Sequence, residues 1–295
     1  MNSQTINFEP MSTRLEALLR RPINTKGHRD LTVTGCGQSF VAALAISNAN
    51  SDIFLKLPHL VILPDQKLAH QLIEEIEFFD PSINPIYLPP FDISPYSGLY
   101  PRHQNVNERM RWLYRAQHAR PSDVFVATIE SLLQKTVPFK FLSDKTLHLK
   151  TQGPLPKNFA LILASLGYQP SSIVEDCGQF CIRGGIIDLF SAAHEQPVRM
   201  ELFGETIESI RFFNPVTQRS NPETLPAVAI IPPRETVLDD DSLEQTLAQF
   251  KAQIEGRPVP FAETEEMMRA LRLKQYFQGL DFLLPCFFKK LESPI

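Results

Sequence analysis

In the first half of the chain, short apolar runs alternate with longer amphipathic ones. HLVILPD (His59 to Asp65) has the length and apolar content of a buried strand followed by a turn. QKLAHQLIEEIEFF follows it and places Leu68, Leu72, Ile73 and Ile76 at i, i+4, i+5 and i+8, the stripe of a helix lying on a sheet. VNERMRWLYRAQHA reads as a second such helix, and DVFVATIESLLQ as a strand, VFVAT, turning into a helix at Ile129. Upstream, Leu31 to Thr34 predict a strand that enters a glycine turn, with FVAALAISNA as the helix after it. Strand and helix in this alternation predict a parallel sheet covered on both faces.

The period changes near residue 145. LPKNFALILASLGYQP predicts one short helix ended by Gly167. FCIRGGIIDLFS, PVRMELFGETIESIRFFNPVT and AVAIIPP then read as close-spaced strands, with tight turns at Gly184-Gly185 and Gly204-Glu205. In VRMELF the alternation sends Val198, Met200 and Leu202 to one face and Arg199, Glu201 and Phe203 to the other. Helical patterns return from about residue 232, in DSLEQTLAQFKAQI and in ETEEMMRALRLKQYFQGL, the latter read as one long helix. The expected fold is an α/β parallel-sheet domain split by a small antiparallel α+β insertion. Its boundaries are 1–144 for the first half, 145–231 for the insertion and 232–295 for the second half. The chain stops at LESPI without a closing strand, so a piece of a longer protein is expected.

Composition narrows this picture. The chain has 295 residues, 43% of them hydrophobic, and a net charge of -4, so no whole-chain attraction to nucleic acid is expected. No apolar run reaches the roughly 18 residues of a membrane span, and the N-terminus lacks the pattern of a signal peptide, so a cytoplasmic protein is expected. Cys177 and Cys181 have no second pair beside them and read as reduced thiols, not as a metal site. The prolines of LPPFDISP and IIPPRE read as fixed connections between layers. Glu175-Asp176 and Asp239-Asp240-Asp241 read as solvated or helix-starting charge runs, and the scattered histidines support no hydrolase.

The glycine turn has its own pattern. TVTGCGQSF aligns with the phosphate-binding loop G-x-x-x-x-G-K-[ST] once Gly37 takes the second glycine position. Thr32 then replaces the first glycine, Gln38 replaces the lysine, and Ser39 keeps the hydroxyl that would hold magnesium. Glutamine offers a neutral amide where a polyphosphate needs a cation, and Thr32 adds a Cβ where the backbone must approach closely. Gly35 and Gly37 are left with an architectural role, keeping the strand-to-helix turn. No ATP binding, no cofactor, no metal and no catalysis are expected of this chain.

Two basic groups remain. Arg183 and Arg199 with Phe203 form an arginine–aromatic set of the kind found at interface hot spots. The alternatives are that Arg183 caps a turn, Arg199 pairs with Glu201 or Asp188, and Phe203 is core. Asp188 itself, set among apolar neighbours, needs turn N–H groups or an arginine. Arg109, Arg111 and Arg115 suggest either a nucleic-acid stripe or a plain surface face over a buried Trp112; the overall charge favours the second.

CGQFCIRGGIIDLF followed by VRMELFGETIESIRFFNPVTQ resembles the inserted domain shared by the excision-repair helicase UvrB and the transcription-repair coupling factors. The matching positions are Arg183, Gly184, Asp188, Phe190, Arg199, Glu201, Phe203, Ile207, Glu208, Phe213 and Asn214. The resemblance extends over LPDQKLAHQLIEEIEFF, VNERMRWLYRAQ and DVFVATIESLLQ. UvrB-like proteins keep an intact loop lysine and a long tyrosine-rich hairpin. Here Gln38 replaces the lysine, and only PRHQN lies between Tyr100 and Val106. Both departures resemble the amino-terminal, degenerate UvrB-homology module of the coupling factors. The resemblance implies a monomeric, non-catalytic module that recruits UvrA to stalled transcription through Arg183, Arg199 and Phe203. It also implies that other domains of an ATP-dependent DNA translocase meet RNA polymerase and DNA. The alternative is a UvrB-type helicase with a diverged nucleotide loop.

Overall fold

The computed structural model describes residues 58–79, 81, 83–93, 101–120, 123–255 and 260–295. The TVTGCGQSF loop, with Thr32, Gly35, Gly37, Gln38 and Ser39, lies outside the described residues, as do the strand and helix expected on either side of it. The chain divides into two compact units. One takes the chain up to Leu88 together with Ala119–Glu130, the other Pro89–His118 and Ser131–Ile295.

The first unit holds a parallel sheet of β1 (His59–Leu63), β2 (Pro85–Leu88) and β3 (Val124–Thr128), in the order β1-β3-β2. The register runs from His59 opposite Val124 to Leu63 opposite Thr128. Every residue of β3 is buried, as a central strand of continuous β-branched and apolar character requires. Helix α1 (Gln66–Phe79) starts where the Asp65 carboxylate accepts the Leu68 N–H at 2.9 Å, an N-cap. It lays Ala69, Leu72 and Ile76 against Ile83, Val124 and Val126. Burying Leu72 and Ile76 contributes about 1.5–3 kcal/mol each. One expectation is corrected: β1 alternates and is not buried on both faces. Val61 packs on the α1 side, while Leu60 and Ile62 point away from it and are exposed.

In the second unit, helices α2 (His103–Gln117), α3 (Ile129–Leu133, which begins in the first unit) and α4 (Phe139–Lys145) lead to β4 (Leu147–Lys150) and α5 (Phe159–Ser165). A five-stranded sheet follows: β5 (Gln169–Pro170), β6 (Gln179–Arg183), β7 (Ile186–Leu189), β8 (Val198–Phe203) and β9 (Thr206–Phe212), hydrogen-bonded in that order. All pairs are antiparallel except β5 with β6. A separate antiparallel pair joins β10 (Ala227–Ile230) to β4. Gly184 and Gly204 carry φ of +58° and +63° at the first position of the two-residue turns, where an L side chain would be strained. One face of the sheet supplies Ile187, Leu189, Val198, Met200, Ile207 and Ile210 to a core closed by Phe159 and Leu163 of α5 and by Val228 and Ile230 of β10. Ile207 and Ile210 reach the same core because β9 bulges: Ile207 faces Leu202, Ser209 faces Glu201, and Glu208 is the extra residue.

The chain ends in helices α6 (Asp240–Ile254), α7 (Phe261–Arg272) and α8 (Leu284–Phe287), the last preceded by a 3₁₀ turn. The long helix expected through Leu280 is shorter. It stops at Arg272 because Lys274 takes a left-handed φ of +53°. The N–H groups of Lys274 and Gln275 then satisfy the Leu271 and Ala270 carbonyls, a Schellman closure with lysine where glycine is usual.

One other expectation is corrected in this unit, and another is narrowed to its helix-starting alternative. Arg109 does not lie on a surface face; it is fully buried. Its Nε donates to Glu235 at 2.8 Å, and its Nη1 donates to the Pro89 carbonyl and to Gln134. Its guanidinium also stacks 4.4 Å from the Phe91 ring. Trp112 is buried as expected. Asp239 is not solvated: it is buried and accepts a 2.6 Å hydrogen bond from Lys145.

Candidate docking face

The second face of the five-stranded sheet carries polar side chains in register. One cross-strand row holds Cys181, Asp188, Arg199 and Arg211; the next holds Arg183, Ile186, Glu201 and Ser209. Antiparallel pairing brings the members of a row within side-chain reach of each other.

Asp188 is the centre of this arrangement. Its side chain is 1% exposed, and Arg199 grips it twice, Nε to Oδ1 at 2.7 Å and Nη2 to Oδ2 at 3.0 Å. Arg183 reaches the same Oδ2 at 2.9 Å. The carboxylate that needed a partner therefore has two. Arg199 also donates to the Gln218 carbonyl at 3.1 Å, and its guanidinium lies 4.8 Å from the ring centre of buried Phe213. Hydrogen bonding to Asp188 holds the Arg199 guanidinium above its ordinary pKa. In the adjacent row Glu201 accepts Ser209 Oγ at 2.6 Å and Arg211 Nη1 at 3.1 Å.

Of the three residues singled out by sequence, Arg183 lies on β6 and Arg199 and Phe203 lie on β8, with β7 between, and they are not alike. Phe203 is 79% exposed at the β8–β9 turn, so it is not core. Arg183 is 54% exposed on its side chain, and Arg199 only 18%. Ile186, missed by sequence, adds a second exposed apolar group in the Arg183 row. Its signal was available: it immediately follows the Gly184-Gly185 turn and so pairs directly with Arg183. The role of Asp188 as a bridge between two arginines was not visible, because it depends on which strand pairs with β7. Chemically, the face offers an exposed ring, an aliphatic group and a guanidinium on a rigid sheet. It holds no nucleophile paired with a base. Among the described residues no group of three or more His, Cys, Asp or Glu is arranged to hold a metal, and no helix is long and apolar enough to cross a membrane.

Residues 147–235 match the family model of the UvrB interaction domain. The chain is 30% identical over 244 residues to a transcription-repair-coupling factor of Myxococcus xanthus, covering 80% of this chain and 20% of the relative. To the transcription-repair-coupling factor of Escherichia coli it is 26% identical over 268 residues, covering 90% of this chain and 22% of that protein. To the UvrABC system protein B of Pseudothermotoga lettingae it is 28% identical over 287 residues, covering 91% of this chain and 42% of that protein. The chain therefore spans about a fifth of the coupling factors and about two fifths of the UvrB protein. The chain is thus similar over most of its length to transcription-repair-coupling factors and to UvrABC system protein B, and residues 147–235 match the UvrB interaction domain.

Proposed function

We propose that this chain is a recruiting module of nucleotide excision repair, which binds UvrA through the β6–β9 face and brings it to stalled transcription. The observation that carries this reading is the face itself: Phe203 and Ile186 exposed beside the partly exposed Arg183, on strands locked by Asp188, inside the matched UvrB interaction domain. Exposed aromatic and arginine side chains on a rigid support are the usual anchors of a protein interface. The parallel β1-β3-β2 layer belongs, in this reading, to the first half of a degenerate helicase-like domain, residues 145–231 are its insertion and residues 232–295 its second half. In this reading RNA polymerase and DNA are met by other parts of a longer ATP-dependent translocase, and this stretch is non-catalytic and monomeric.

Calorimetric titration with purified UvrA tests it. The chain binds, and Phe203→Ala weakens binding at least tenfold, the loss of about 1.4 kcal/mol or more expected of a hot spot. Unchanged affinity of Phe203→Ala would remove this face from the interaction. The second reading, a UvrB-type helicase with a diverged nucleotide loop, draws on the similarity to UvrABC system protein B over 91% of the chain. It requires DNA-stimulated ATP hydrolysis by this chain.

A further inference from the structure

We infer that Arg183 and Arg199 do different work at this face: Arg183 is the cation that meets the partner, whereas Arg199 is a positioning residue that acts through Asp188. This rests on the docking reading above and sharpens it.

An arginine has five N–H donors in a fixed fork. Arg199 spends Nε and Nη2 on the two oxygens of Asp188 and Nη1 on the Gln218 carbonyl and Ser220 Oγ, at 2.7, 3.0, 3.1 and 3.4 Å. Its guanidinium also covers the ring of Phe213, which packs with Val174 and Cys181 in a small core on this side of the sheet. It thus ties β7, β8 and the turn through Gln218 together, with little of its side chain in solvent. Arg183 makes one such contact, Nη2 to Asp188 Oδ2, and more than half of its side chain is exposed.

The charges divide the same way. Arg199 and buried Asp188 cancel, and Glu201 and Arg211 cancel, so Arg183 supplies the one uncompensated positive charge of the five. That charge lies in the same cross-strand row as exposed Ile186, on the face that carries exposed Phe203. The site complementary to this face on the partner is a single carboxylate at the rim of an apolar pocket. A field of acidic residues would leave most of its charges unmatched here.

Rate measurements separate the two roles, since a rim charge governs association rate and its salt dependence, while loosening the strands that carry Phe203 and Ile186 acts mainly on dissociation. With purified UvrA immobilised, Arg183→Gln slows association and flattens its dependence on salt. Arg199→Gln and Asp188→Asn speed dissociation, by about tenfold, and keep the wild-type salt dependence of association when combined in one charge-balanced double variant. The double variant loses no more than the worse single one, because both changes break one bridge. Arg199→Lys is the folding-safe discriminator: it keeps the charge but loses the fork. It behaves like Arg199→Gln if Arg199 positions, and like wild type if Arg199 meets the partner by charge. Wild-type behaviour of Arg199→Lys, or additive losses in the double variant, overturns this inference and leaves the docking reading intact. Failure of the wild-type chain to bind UvrA overturns both.

Discussion

His194, in the β-rich unit, is held by burial well below its usual pKa. It packs edge-on to Phe212, with Nε2 at 3.1 Å from the Ala229 carbonyl, and Arg111 donates to its own carbonyl at 3.0 Å. Burial first, then the charges of Arg111 and Arg115 against the opposing pull of the Ala229 carbonyl, push its pKa down to about 4. The sign follows directly. The folded state keeps the ring neutral where the unfolded chain, at about 6.5, takes a proton. The unfolded state therefore binds more protons between those values, and stability falls as pH drops through that window. The expected share of His194 is on the order of 2 kcal/mol lost between pH 7 and pH 4.5. Urea unfolding at the two pH values measures it, and His194→Gln removes most of the difference. No sequence pattern around AAHEQ announces this, because the burial that drives it, and the Arg111 charge that adds to it, come from parts of the chain far away in sequence. Arg183, Arg199 and Phe203 were legible, by contrast, since two-residue alternation alone assigns a strand residue to a face. Alternation could not show that Arg199 turns inward to Asp188; that needs the strand order.

Among the elements, the connection after β10 carries the heaviest polar load. Ile231 is held at both ends of its peptide, its carbonyl by Tyr168 Oη at 2.6 Å and its N–H by Ser191 Oγ at 3.2 Å. Glu235, four residues on, accepts Arg109 Nε, Thr136 Oγ1 and the Val137 N–H. The Pro-Pro step thus leads the chain away from β10 along a fixed path, pinned to α2 and to the segment before α4. Both partners of the Arg109–Glu235 pair are almost fully buried. Removing one strands the other charge, so Glu235→Ala is expected to cost about 3–5 kcal/mol. Arg109→Met with Glu235→Met restores part of that, but not all, since Thr136 and Val137 keep donors without an acceptor. Denaturant midpoints of the two variants and the parent chain decide it; a loss under 1 kcal/mol for Glu235→Ala would show the pair to be incidental. The proline cluster marked this connection in the sequence as fixed. The lock itself was unreadable, because an arginine in a helical pattern reads as surface until its partner, 126 positions away, is known. Helix α7 misled in a similar way: its stop is a left-handed Lys274, and only glycine there would have signalled it.

On the scale of the whole chain, the parallel layer and the five-stranded sheet pose separate questions. Strand β3 was legible because a parallel strand buried on both faces reads as a continuous apolar run; β1 reads the same way although Leu60 and Ile62 are exposed, because an apolar run does not show which of its faces is covered. The loop TVTGCGQSF lies upstream of this layer, and whether the chain takes ATP turns on its Gln38 and Thr32. Without the lysine, no side chain of the loop offers a positive charge to the β- and γ-phosphates. Ligand linkage makes this testable without activity. A site with a Kd of about 10 μM would add about 2.7 kcal/mol at 1 mM ATP, enough to raise Tm by several degrees. Thermal unfolding with and without magnesium and ATP should show no shift. Gln38→Lys combined with Thr32→Gly restores the pattern, and if the turn still holds its old geometry that variant gains a shift the parent lacks. A shift of several degrees in the unaltered chain would return it to the nucleotide-binding class, and with it the helicase reading would displace the recruiting one.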